Sequence, residues 1–412
     1  MIYGTPEASV CLYQKSGIAY ILLVTYTAIM SGYAKQRAFE RIRALATECL
    51  DLASFWLAVN EALASAVPHY GDPCWYTLDP TSLLVTSHFN PMMPEFPPEM
   101  FAHEYYADDV HKMADIARSE RGFSTLHEVT GGDPSRSPGW NLFVQPYGGD
   151  QELLLALRTP SGEAWGMLGL YRDPHQPLFD AEEIRLLREV APYLGQGAQR
   201  GLLVGEATDP EGNAAPGLLV LRDDWSVESH TPGVERWLDE LPDGDWQARN
   251  KLPTAVLSVA GQALRSAVQP GIAGEVAFAR VLTRSGRWMV LHGATLVTTG
   301  ARRVAVIIEP AHPARIATLL MAAYGLTERE QDVTHLVLQG HSTVEIAARL
   351  ILSVHTVQQH LKSIFDKTGV RSRRDLVGKI FFAYYEPRVR DNEQRALVSR
   401  PLRGKPLDQH EQ

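Results

Sequence analysis

The sequence predicts a multidomain α+β protein that ends in an all-α four-helix domain, and three observations carry that expectation. At 412 residues the chain exceeds what one ordinary core organises, so two or three domains are expected. Its first three quarters hold two groups of short strand-like stretches, each group mixed with helical periodicity, and a polar segment with two prolines lies between them. The last quarter lacks strand character and carries hydroxyl residues spaced as helix N-caps. A composition of 45% hydrophobic and 21% charged residues is that of a soluble globular protein.

Gly17 to Met30 is an apolar run, shorter than a bilayer-spanning helix and flanked before it by one base, Lys15. Neither a membrane anchor nor a signal peptide is expected from it. Met30-Ser31-Gly32-Tyr33-Ala34-Lys35 reads like a second, more natural start. Residues 1–29, within an N-terminal extension 1–37, are therefore expected to come from an over-long reading of the gene.

From Ala38 to Ala66, Phe39, Ile42, Leu45, Cys49, Leu50, Leu52 and Ala53 mostly keep helical spacing and predict an amphipathic helix or helix pair. Strand character follows in 74–78, 83–89, 153–157 and 165–171, with Asp79-Pro80 as the turn between the first two. An antiparallel sheet with helices on one side is the economical arrangement. Asp180 then caps a long helix in which Ile184, Leu187, Ala191, Leu194 and Ala198 step by three and four, a seam equally suited to a coiled coil or to the domain's own sheet. Helix, sheet and closing helix in this order resemble a GAF-type sensory domain over residues 38–203.

Residues 204–216 read as a linker. Beyond it, 217–221 and 225–229 flank Asp223-Asp224 as a hairpin, helices are expected near 234–241 and 253–267, and strands at 277–283, 288–295 and 304–309 close the unit. Two strands, helices and three strands resemble a PAS domain over residues 217–311.

The domain at 312–384 is the most specific part of the chain. Thr327 precedes Glu330 by three residues, Ser342 precedes Glu345, and Ser372 precedes Asp375, each pairing a hydroxyl N-cap with an acid where a capping box wants one. Ser353 is a further N-cap. Residues 342–350 form a short helix, 351–353 leave room for a tight turn only, and another helix follows at once: a helix-turn-helix. In that last helix Val354, Val357, Leu361 and Ile364 make an apolar stripe, which leaves His355, Gln358, Gln359 and Lys362 on the opposite face. A Gln amide can meet an adenine edge with two hydrogen bonds, and a Lys can reach guanine acceptors or phosphate.

Leu326-Thr327-Glu328-Arg329-Glu330, Gly340, Glu345-Ile346-Ala347, Leu352-Ser353, Thr356-Val357, His360, Ile364, Lys367 and Gly369-Val370 resemble the LuxR-type helix-turn-helix family of bacterial transcription regulators across roughly residues 322 to 382. The resemblance implies four helices, the third reading the major groove and the fourth forming a dimer contact. It implies double-stranded DNA as a partner, a homodimer, and DNA-facing roles for Thr356, Gln358, Gln359 and Lys362. Lys367 and Arg373 join this set from the basic cluster at 362–374. Leu376, Val377, Ile380 and Phe381 are the apolar residues for the dimer contact. Gln358 stands where many members carry Lys, which puts one phosphate contact in doubt.

Charge is divided to match. Residues 325–385 hold eight Lys or Arg against six Asp or Glu, and the polar tail 385–412, expected to be disordered, holds six against five. Of the net −9, residues 1–324 thus carry −12, so only the C-terminal end suits phosphate. Cys11, Cys49 and Cys74 form neither a disulfide framework nor a zinc site, which fits a reducing cytoplasm. There is no phosphate-binding loop, no H-E-x-x-H and no other catalytic constellation, so neither an enzyme nor a cofactor or metal is expected. Trp75 and His88 are the candidates for lining a ligand pocket. The expected function is a DNA-binding transcriptional regulator that reads a pseudo-palindromic operator under control of an unknown small-molecule or protein signal. The alternative is a sensory or protein-interaction module whose helix-turn-helix binds no specific DNA.

Overall fold

The computed structural model describes residues 32–48, 50–90, 97, 99–202, 216–249, 251–268, 277–296, 302–311, 316, 321 and 324–377. Residues 1–31 of the proposed N-terminal extension, Cys11 among them, together with Cys49, almost all of the linker, Ile380, Phe381 and the polar tail, lie outside the described residues.

The first unit is built on a five-stranded sheet of order β2-β1-β5-β4-β3. Its strands are β1 (Cys74–Leu78), β2 (Val85–Phe89), β3 (Phe123–Thr125), β4 (Gln151–Arg158) and β5 (Ala164–Arg172). All pair antiparallel. The predicted helical stretch at its start is a pair, α1 over residues 32–45 and α2 (Leu52–Leu63), whose N-cap Asp51 accepts the Ser54 N–H at 3.0 Å. The long helix is α6 (Ala181–Leu202), opened by a reciprocal pair: Glu183 N–H donates to Asp180 and Asp180 N–H to Glu183, both at 2.8 Å.

The seam of α6 faces its own sheet. Leu187, Ala191, Leu194 and Ala198 share one core with Leu153, Leu155, Leu157 and Leu170, so alternate residues of β4 and β5 take up the face that a coiled coil would have needed. The expectation of helices on one side alone is corrected. Leu154, Ala156 and Met167 point the other way, into α3 (Glu99–Tyr106) and α4 (Met113–Arg118). Both faces of a sheet whose β5 is buried throughout demand cover. α5 (Leu126–Thr130) and a π-turn at Trp140–Val144 complete the unit.

The second unit repeats the strand order, β7-β6-β10-β9-β8. Its strands are β6 (Gly217–Leu221), β7 (Val227–His230), β8 (Phe278–Leu282), β9 (Trp288–Leu296) and β10 (Arg303–Pro310), with α7 (Val234–Glu240), α8 (Trp246–Arg249) and α9 (Thr254–Val268) between β7 and β8. The strands, α7 and α9 match the elements expected from periodicity; the one-turn α8 is an addition. Val256, Val259 and Ala260 of α9 pack with Val281, Met289 and Leu291 of the sheet.

Several contacts join the units, among them Arg265 with Asp108 and Arg302 with the Tyr106 hydroxyl, and two are the most enclosed. α3 lies on α9 so closely that a Cβ built on Gly261 would stand 2.5 Å from the Ala102 carbonyl oxygen, a position no side chain tolerates. Asp79, in the β1–β2 turn, accepts from Arg280 of β8 through Nε at 2.8 Å and Nη2 at 2.7 Å, and from the Arg280 backbone N–H at 2.9 Å. The two side chains are 0% and 7% exposed, so this is a buried, bidentate pair. Among the described residues no helix is long and apolar enough to cross a membrane.

Removing one member of such a pair strands the other charge in the interface. Asp79→Ala or Arg280→Met is expected to lower stability by about 3–5 kcal/mol, while the double variant Asp79→Leu/Arg280→Met recovers most of it. Denaturant unfolding of the full chain checks this; single variants as stable as the parent would contradict a unit-joining role.

Candidate nucleic-acid interface

The C-terminal domain shows all four caps that its sequence predicts. Its first helix, Glu328–Leu338, and its second, Thr343–Leu350, each open with a complete capping box, from Thr327 with Glu330 and from Ser342 with Glu345. Ser353 caps the third, Val354–Thr368, by accepting the Thr356 N–H at 3.0 Å. Ser372 accepts the Asp375 N–H at 3.1 Å at the start of the fourth, described over 373–377. Each cap is worth about 1 kcal/mol, enough to hold helices this short.

The turn of the helix-turn-helix is made by Ile351, left-handed at φ 55° and ψ 50°. The Leu352 N–H returns to the Ala347 carbonyl at 2.9 Å, and Arg329 reaches the Leu350 carbonyl from the first helix. Ile351 is 92% exposed, so a β-branched residue sits in a strained conformation without packing in return.

The third helix is divided by face. Val357, Leu361 and Ile364 are buried with Val333 and Val337 of the first helix and Ile346 and Ala347 of the second. Val354 departs from the expected stripe and is 41% exposed, because it precedes the first full turn and projects beyond the core. His355, Gln358, Gln359 and Lys362 are all exposed, and Thr356, half-buried, has its hydroxyl 2.7 Å from that of Ser353. Gln359 Nε2 stands 3.1 Å from His355 Nε2, one turn away, so these two polar tips share a surface.

Other predicted residues are placed differently. Lys367 Nζ donates to Glu330 Oε2 at 2.6 Å and ties the end of the third helix to the capping box of the first. Arg373 donates to the Thr343 hydroxyl at 3.3 Å and to the His341 carbonyl, so it braces the loop before the second helix. Leu376 is fully buried in the domain's own core and Val377 packs against it. Trp75 is also a core residue, stacked on Trp56 at 4.4 Å with its indole N–H on Asn60 Oδ1 at 2.8 Å. His88 lies between the rings of Tyr76, at 6.0 Å, and Phe101, at 5.6 Å, and burial lowers its pKa despite Asp243 nearby.

Residues 325–379 match the family described as bacterial regulatory proteins, luxR family. The spore germination protein GerE of Bacillus subtilis is 40% identical over 52 residues, which are 13% of this chain and 70% of GerE. This chain belongs to the luxR family. The response regulator Rre1 of Synechocystis is 49% identical over 51 residues, 12% of this chain and 22% of that protein. The nitrate/nitrite response regulator NarP of Escherichia coli is 48% identical over 48 residues, 12% of this chain and again 22% of that protein. The chain thus spans less than a quarter of Rre1 and of NarP. A solved complex, E. coli DhaR(N)–DhaL, overlaps 68% of this chain and 90% of its own at 12% identity and a TM-score of 0.21.

Two predictions follow from the domain's internal contacts. Desolvation opposes it, but the Lys367 hydrogen bond and the Thr327 N–H hold the Glu330 carboxyl below its ordinary value. A depressed folded pKa stabilises above the unfolded value, near 4.5, and that stabilisation is lost as pH falls through the folded one. Acid unfolding followed by circular dichroism should therefore become shallower in Glu330→Gln; an unchanged profile would contradict the assignment. At the turn, Ile351→Gly relieves the left-handed strain and is expected to add about 1 kcal/mol to stability, read from the unfolding midpoint.

Proposed function

We propose that the chain is a DNA-binding transcriptional regulator. The observation that carries this is the division of the third helix. Its buried stripe locks it onto two capped helices, and its outer face offers His355, Gln358, Gln359 and Lys362 with no acid among them. Amides and a base on a rigid helix entering by its N-terminal end suit base edges and phosphates in the major groove. Gln358 and Gln359 read bases, Lys362 contacts phosphate, and Thr356 lies near the backbone at the helix start. Lys367 and Arg373 brace the domain and leave direct phosphate contact to Lys362 and the neighbouring bases.

One such helix reads only a few base pairs, so a homodimer on a pseudo-palindromic site is the economical assembly. Val377 of the fourth helix, with Ile380 and Phe381 beyond it in sequence, supplies the contact, and Leu376 supports it from within. Residues 38–203 and 217–311 act as GAF-like and PAS-like sensory domains in the cytoplasm. Their common strand order supports that reading. Residues 204–216 link them, and residues 312–384 form the DNA-binding domain.

Gel shifts with DNA from upstream of the gene and its neighbours test the proposal. Gln359→Ala should cost about 1–3 kcal/mol on the preferred site and relax preference at one base pair. Lys362→Ala should weaken binding to all DNA and reduce the salt slope by about 0.9. Equal losses on every sequence for Gln359→Ala would remove it from base reading. No shift with any upstream DNA would favour a helix-turn-helix that serves protein contact.

A further inference from the structure

A cleft of about 580 Å³, its open mouth included, lies on the α3 face of the first sheet. Tyr76, Trp140, Phe143 and Tyr171 make its walls, and no Lys or Arg is among the described residues that line it.

The polar groups in the cleft are biased one way. Asp109 accepts from Gly139 N–H at 2.6 Å and from the Ser137 hydroxyl at 3.1 Å, which fixes the π-turn as one wall. Although desolvation works against it, the His103 ring and these donors bring the Asp109 carboxyl down to about 2. The indole N–H of Trp140 is spent on the Asp150 carbonyl at 2.8 Å. These three wall donors are thus already engaged.

Two buried ring nitrogens in the cleft have no hydrogen-bond partner in the protein, Nε2 of His103, which stands 3.8 Å from Asp109 Oδ2, and Nε2 of His111; the second is the one that points to a ligand. The His111 side chain is 1% exposed, and its Nδ1 lies 2.9 Å from Glu152 Oε2. In the neutral ring, Nδ1 facing a carboxylate carries the proton and donates, which leaves the lone pair on Nε2. Nε2 is buried and has no hydrogen-bond partner in the protein. Such an atom costs stability unless something donates to it.

We infer that this cleft binds a small primary amine as its ammonium, donating to Glu152 and to His111 Nε2 with its apolar body among the aromatic rings. A primary ammonium brings three donors and a positive charge to a site that offers acceptors, carboxylates and aromatic faces. An anionic ligand would meet Asp109 and Glu152 with no cation to receive it. A quaternary ammonium has no N–H for Nε2.

The cleft is also joined to the second unit. Met100, His103 and Glu104 line it from α3, and Ala102 of the same helix rests on Gly261 of α9. A ligand that shifts α3 therefore moves the contact between the units. That this amine is the regulatory signal rests on the sensory role proposed above; its binding does not.

Calorimetric titration of the full chain, without DNA, tests the site using butylamine and phenethylamine as probes, with 1-butanol, 2-phenylethanol and phenylpropionate as neutral and anionic counterparts. At least one amine should bind, and its neutral isostere should bind at least about tenfold more weakly. Glu152→Gln should lower amine affinity at least about tenfold. Phe143→Leu, at the half-exposed wall, should lower it severalfold and keeps the test open if the first variant fails to fold. Equal binding of amines and isosteres, no binding of any amine at about 10 mM, a signal only for phenylpropionate, or unchanged affinity in both variants would overturn the proposal. Because no DNA is present, none of these outcomes depends on whether the helix-turn-helix binds an operator.

Discussion

The buried Asp79–Arg280 pair makes the two α+β units act together. An ion pair so enclosed has lost its water, and it persists because both carboxylate oxygens and the Arg280 backbone N–H share one geometry. Together with the contact of α3 on Gly261, it sets how the second sheet stands against the first. Packed interfaces of this kind do not deform gradually, so a change on one side must be taken up by the other. A displacement of α3 or of the β1–β2 turn is therefore felt in the second unit.

The C-terminal domain follows a different logic, in which short-range contacts do most of the work. Its helices are too short to persist alone, and capping boxes, the Lys367–Glu330 pair and the brace from Arg373 fix their angles. These intradomain contacts leave the outer face of the third helix unburdened. Net charge is arranged in the same sense, with the acidic excess held in residues 1–324.

Much of this was legible in the sequence, for reasons that differ by element. Caps were readable because donor and acceptor lie three residues apart, and the strands because alternation and turn residues are local. The bracing contacts of Lys367 and Arg373 were not legible because their partners, Glu330 and the 341–343 loop, lie about thirty or more residues away. The second helical layer escaped because α3, α4 and the π-turn are too short to show a period. Trp75 was placed beside a ligand by its strand, but it faces α2 and not the cleft. The cleft itself depends on His111 meeting Glu152, 41 residues further on, and no local pattern announces that pair.

The central claim is that the outer face of the third helix is where the chain meets DNA. Hydrogen exchange of the full chain, with and without a duplex from upstream of its gene, measures this directly. Slower exchange should appear at residues 353–362 and at the turn before them, with little change over the first helix. Protection confined to the two α+β units, or none at the third helix while the duplex is bound, would contradict it.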